Sequence, residues 1–100
     1  MNDVTQWIVP ADHPAFAGHF PGMPILPGVV LLDAAIHAIA IPAGIVPDAC
    51  EISAVKFLGT VRPGERLDIR HNRAAGGVIR FDIVAGMRKI ASGSIVPRPA

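Results

Sequence analysis

The sequence predicts an α+β domain in which one long, buried central helix is wrapped by a curled antiparallel sheet of about five strands. Three observations carry this. Residues 29–41, VVLLDAAIHAIAI, are apolar on nearly every side, as expected of a helix covered by other structure. In the second half Leu67, Ile69 and His71 alternate with Arg66, Asp68, Arg70 and Asn72, and Ile79, Phe81 and Ile83 alternate with Arg80, Asp82 and Val84. That period of two marks half-exposed strands. The turn signals between them are short, which favours antiparallel neighbours.

Taken in order, residues 4–9 suit a short strand, followed by an irregular loop from Pro10 to Pro27. Regular structure is excluded there because Pro14, Pro21, Pro24 and Pro27 lack an amide proton and push the preceding residue out of the helical region. Gly18, Gly22 and Gly28 permit close backbone approach. The helix begins after Pro27 and Gly28, runs about four turns or roughly 20 Å, and stops at Pro42. Strands are expected over 51–61, 66–73, 78–85 and 88–96, separated by turn signals at 62–65 (RPGE), 74–77 (AAGG) and 85–88 (AGMR). Residues 97–100 read as a frayed tail.

One hundred residues with 51% hydrophobic content make a single domain over 1–100. Folding at this size buries only somewhat more than about 60% of the unfolded chain's surface, so self-association into a homodimer or higher homo-oligomer is expected. Cys50 is the one cysteine and cannot form an intrachain disulfide. The N-terminus MNDVTQWIVP carries acids and no basic region, which predicts a cytoplasmic chain without a signal peptide. The longest apolar run falls short of the roughly 20 residues of a membrane helix, so no span is expected.

Net charge is +1, but residues 1–55 hold five acids and no Lys or Arg, whereas residues 56–100 hold nine bases and three acids, or +6. Such asymmetry suits an acidic partner at the second half, or simply the solvated outer faces of strands. Nucleic acid is not expected, because Lys56, Arg62, Arg66, Arg70 and Arg73 are accompanied by little aromatic surface beyond Trp7.

The segment HPAFAGHFPGMPILPGVVLLDAA carries the candidate chemistry. Its loop presents His19, and an ordinary imidazole titrates near pH 6.5 (about) and takes a proton near neutrality. Asp33 lies among Val, Leu, Ala and Ile, where desolvation favours the neutral, proton-donating carboxyl. The helix N-terminus at Gly28 offers backbone amides that can polarise a carbonyl oxygen. Base, acid and oxyanion donor together describe proton abstraction beside a carbonyl with loss or gain of a group. The plainer alternative is that His19 bonds a loop carbonyl and Asp33 is paired with His37, four residues on along the same stripe. Asp33 and His37 also have a chelating spacing, but no third ligand follows at a recognisable interval, so no metal is expected.

At these residues the chain resembles the hotdog-fold 3-hydroxyacyl-acyl-carrier-protein dehydratases, particularly their short, aryl-polyene-type branch. The match lies in GHFPGMPILPGVVLLDA, 18–34, with VKFLGTVRPGERLDI, 55–69, resembling the strand, Pro-Gly turn and strand that follow. The resemblance implies that His19 is the catalytic histidine, Asp33 the catalytic acid, and Gly28 the glycine whose amide binds the thioester carbonyl. It implies dehydration of a 3-hydroxyacyl thioester, carried on acyl-carrier protein, to the trans-2-enoyl thioester without a cofactor. It also implies a dimer with two helices back to back across a continuous sheet, in which His19 of one chain meets Asp33 of the other. His37 stands where that family usually has Gln, and is expected to modulate the acid by orienting Asp33 or holding it ionised. Pro14 occupies the position of the Asp that marks the hydratase branch of the same fold. Two alternatives remain: an acyl thioesterase in which Asp33 activates water, and a non-catalytic acyl-binding or assembly subunit.

Overall fold

The computed structural model describes residues 3–14 and 26–98. Five strands and one helix follow one another: β1 (Asp3–Ile8), α1 (Gly28–Ala40), β2 (Cys50–Phe57), β3 (Arg66–Arg73), β4 (Ile79–Ala85) and β5 (Arg88–Pro97), with single 3₁₀ turns at Pro47–Ala49 and Ala75–Gly77. All strands pair antiparallel in one sheet of order β1-β3-β4-β5-β2. The α+β architecture expected from the sequence is present, with β3 falling on the expected residues and α1 displaced by one.

Alternation along the strands sorts their side chains. Leu67 and Ile69 on β3, Phe81 and Ile83 on β4, and Ala91 and Ile95 on β5 are all buried. Against them α1 packs Leu31, Leu32, Ala35 and Ile39, a helical spacing that places one stripe of the cylinder on the sheet. At alternate positions Arg66, Arg70 and Arg80 are exposed, while Asp68 and Asp82 are half-buried.

One expectation fails. The RPGE segment does not join adjacent strands, because β2 pairs with β5 while β3 pairs with β1 and β4. Strand β2 ends at Phe57 rather than at residue 61, since the Leu58 and Gly59 amides both converge on the Ile90 carbonyl at 2.8 and 3.1 Å, which breaks the ladder. The chain then crosses the end of the sheet with Val61 buried. Its connection to β3 is fastened to β1 instead: Gly64 N–H donates to the Val9 carbonyl and Val9 N–H to the Glu65 carbonyl, each at 2.9 Å. Gly64 has φ +80°, a left-handed conformation that glycine adopts without steric cost.

Candidate active site

The N-terminus of α1 is built on a proline. Pro27 is the N-cap, in an extended conformation and without a side-chain cap, and its carbonyl accepts from Val30 and Leu31, each at 3.1 Å. The Gly28 and Val29 amides precede that first bond, and among the described residues they have no acceptor. They are donors at the positive end of the helix dipole, suited to an oxygen on which negative charge develops. The segment before the helix is fixed by the Leu26 amide on the Val61 carbonyl at 2.8 Å, and a cleft of about 420 Å³ between them is lined by Gly28, Leu31, Phe57 and Thr60.

Gly28 permits a close approach here. A Cβ at this position would stand 3.0–3.3 Å from three carbons of the Phe57 ring. Phe57 is half exposed, so the ring can give way. Gly28→Ala is therefore expected to leave the fold intact, with a melting temperature close to that of the wild type, which a thermal melt checks.

Asp33 does not lie where its apolar neighbours in sequence suggest. Its side chain is 73% exposed within the single chain and that of His37 is 45% exposed. With Val29 and Ile41, also exposed, they form a stripe at intervals of four residues along the side of α1 that the sheet leaves uncovered. The sheet reaches one flank of the cylinder only, so an apolar sequence on all sides leaves this flank unburied within the chain. The expected neighbourhood of Asp33 and His37 is present: the His37 Nδ1–H donates to the Asp33 carbonyl at 2.8 Å and lies 3.5 Å from Asp33 Oδ1. A carbonyl can only accept, so Nδ1 carries a proton and Nε2 faces away from the acid. His19 lies outside the described residues.

Beside this stripe lies a groove whose β1 wall sequence reasoning did not identify. Thr5, Gln6 and Trp7 of β1 and Ala34, His37 and Ala38 of α1 line a space of about 390 Å³, together with Ile41 and Pro42. The signal was available in the parity of β1, where Thr5 and Trp7 pair with Ile69 and Leu67, both wholly buried. Of the remaining reactive groups, burial pushes the Cys50 thiol up from its ordinary value, which disfavours the thiolate. Among the described residues no group of three metal-ligating side chains occurs, and no helix is long and apolar enough to cross a membrane.

Comparison with known proteins places this geometry. The family model of the ApeI-like proteins, described as ApeI dehydratase, matches residues 2–94. The 3-hydroxyacyl-[acyl-carrier-protein] dehydratase FabZ of Chloroflexus aggregans is 38% identical over 84 residues, covering 75% of this chain and 58% of that enzyme; the chain spans about three-fifths of the length of such curated relatives. Among solved structures, the dehydratase heterocomplex ApeI:P from Xenorhabdus doucetiae superposes with a TM-score of 0.75 at 24% identity, over 97% of this chain and 88% of that one. The fluoroacetyl-CoA thioesterase FlK superposes with a TM-score of 0.68 at 18% identity, over 95% and 82%. At those identities the two structures speak for the fold alone, which is the hotdog fold. The match over almost the whole sequence settles the rest: this chain belongs to the ApeI-like dehydratase family.

Proposed function

We propose that the protein dehydrates a 3-hydroxyacyl thioester to the trans-2-enoyl thioester. His19 removes the proton from C2, the C2–H electrons form the C2=C3 double bond as the C3–O bond breaks, and Asp33 gives its proton to the departing hydroxyl, which leaves as water. The Gly28 amide holds the thioester oxygen as enolate-like charge develops on it. The observation that carries this reading is the placement of acid and amides on one helix: Asp33 lies five residues, about 7.5 Å of axial rise, beyond Gly28. Its Cα–Cβ bond leans toward the helix N-terminus, as in any α-helix.

A second copy of the chain completes the site in this reading. Strand β2 is an edge of the sheet, and Ile52, Val55 and Phe57 along it are exposed. An open, apolar edge invites pairing with another strand, and β2 pairing with β2 of a second copy would bring the uncovered stripes of two helices together. Asp33 would then be removed from water by the partner, and His19 of one chain would meet Asp33 of the other. The thioester is carried by an acidic carrier protein, which suits the charge of the second half: among the described residues Lys56, Arg62, Arg66, Arg70, Arg73 and Arg80 have no carboxylate within ion-pair distance. A cytoplasmic setting agrees with the one free cysteine, Cys50.

Incubation with a panel of 3-hydroxyacyl thioesters, following enoyl formation and free thiol together, tests the assignment. Enoyl product without thiol is expected. Thiol without enoyl product would make the protein a thioesterase, and binding with neither would make it a non-catalytic acyl-binding subunit.

A further inference from the structure

Strand β1 is the edge of the sheet opposite β2. Val9 N–H donates to the Glu65 carbonyl at 2.9 Å, and the register runs on without a shift from Ile8↔Arg66 to Asp3↔His71. Bonded and non-bonded pairs alternate along an antiparallel ladder, so Trp7, Thr5 and Asp3 exchange bonds with β3. The N–H and C=O groups of Ile8, Gln6 and Val4 therefore point away from the sheet. Edges of this kind are commonly blunted by Lys, Pro or a bulge. The β1 sequence, DVTQWI, has none of these.

The two faces of this edge differ. On the inner face Thr5 and Trp7 border the groove of about 390 Å³, with Ala34, Ala38 and Ile41 among its other lining residues and no Asp, Glu, Lys or Arg. On the outer face Val4 and Ile8 are 56% and 64% exposed and stand opposite Arg70 and Arg66 of β3. Among the described residues neither arginine has a carboxylate within ion-pair distance. Two acids share this face. Asp82 is held by Lys89 at 3.6 Å, and Asp68 is half-buried between Gln6 and Val84.

We propose that β1 receives an extended segment of a partner protein as a sixth strand, with apolar residues at every second position on the groove side and Asp or Glu between them. In this mode of recognition main-chain hydrogen bonds supply the attachment, and the alternating side chains supply the choice of partner. The added strand lies about 10 Å from β3, two strand spacings away, a distance that an arginine and a glutamate side chain span together. Opposite charges across a sheet attract and like charges repel. A second copy of this chain does not fit: its β1 would bring the uncharged Val4, Gln6 and Ile8 to that face, with its own Arg66 and Arg70 behind them. The proposal makes no use of His19, Asp33 or Gly28, so it stands apart from the dehydratase reading.

The 100-residue chain is titrated with the acetylated, amidated peptide EVELEVE and with KVKLKVK as its charge-reversed control, and amide hydrogen exchange is followed by NMR at each residue of β1. EVELEVE is expected to slow exchange at Val4, Gln6 and Ile8 at least about tenfold, whereas Thr5 and Trp7, already bonded to β3, change by less than about twofold. It is also expected to bind at least about tenfold more tightly than KVKLKVK at low salt, and Arg70→Glu is expected to erase that preference. Gln6→Pro removes an outward N–H, which an edge strand tolerates, and is expected to abolish binding while the protein still melts cooperatively. Absence of binding overturns the proposal, as does binding that leaves Val4, Gln6 and Ile8 unprotected or slows Thr5 and Trp7 equally; none of these outcomes needs a variant. Equal affinity for the two peptides overturns the acidic partner. Protection of Val4, Gln6 and Ile8 that rises with protein concentration in the absence of peptide makes the occupant a second copy and overturns the proposal as well.

Discussion

On the proposed dehydratase reading, mixing His19→Ala and Asp33→Asn protein, each inactive by itself, is expected to restore about a quarter of wild-type activity. General acid–base groups typically contribute about 10²- to 10⁴-fold, so each variant alone falls near background. If His19 works with Asp33 of the other subunit, a mixed dimer carries one site that has lost both groups and one that has kept both. Random reassortment makes about half of the dimers mixed, each with one of two sites intact, which gives the quarter. The basis is the position of Asp33, 73% exposed on the side of α1 that its own sheet leaves uncovered. The subunits are mixed, exchanged under mild denaturant, and assayed for enoyl formation. Activity that stays at the level of the separate variants after demonstrated exchange assigns both groups to one chain.

Gly93→Ala is expected to lower the melting temperature by on the order of 10 °C, from an overpacking cost of about 1–3 kcal/mol and a response of about 4–8 °C per kcal/mol in a domain of this size. Gly93 lies on β5 between Val55 of β2 and Phe81 of β4. A Cβ there would run into the Ala54 carbonyl oxygen and stand 2.8 Å from Phe81 Cζ. The Phe81 ring is buried and Ala54 contributes main chain, so neither moves cheaply. Strand β2 pairs with β5 alone, and its displacement also loosens the edge proposed to join two copies. Ser92→Ala, one position away, should stay within about 0.5 kcal/mol of wild type. A thermal melt in which Gly93→Ala and Ser92→Ala coincide contradicts the packing of Phe81 over Gly93.

Much of the fold was legible because it depends on local regularities. Alternation of charge and aliphatic residues along 66–73 fixes β3 to the residue, and Pro27 and Pro42 bracket α1, which spans Gly28–Ala40. The end of β2 was less legible: VKFLGTV remains apolar through residue 61, and the convergence of Leu58 and Gly59 on Ile90 depends on a strand some thirty residues away. Pairing was misread for the same reason. A turn such as RPGE constrains four residues but not which strands they connect, and the bonds to Val9 redirect this one.

For the site, sequence alone determined the chemical inventory and its linear order: a histidine in a proline-fixed loop, a glycine at the start of a helix, an acid five residues on, and a histidine one turn beyond it. These follow from residue identity and helical repeat, which act over a few residues. Tertiary structure decided what surrounds them. It placed Asp33 and His37 on the uncovered side of α1 instead of in the core, laid the Phe57 ring over Gly28, and opened the Trp7 groove beside Ala34 and Ala38. The physical reason is that burial belongs to the environment of a residue: a helix apolar on all sides calls for cover on all sides, but only the course of the sheet determines which side receives it within one chain.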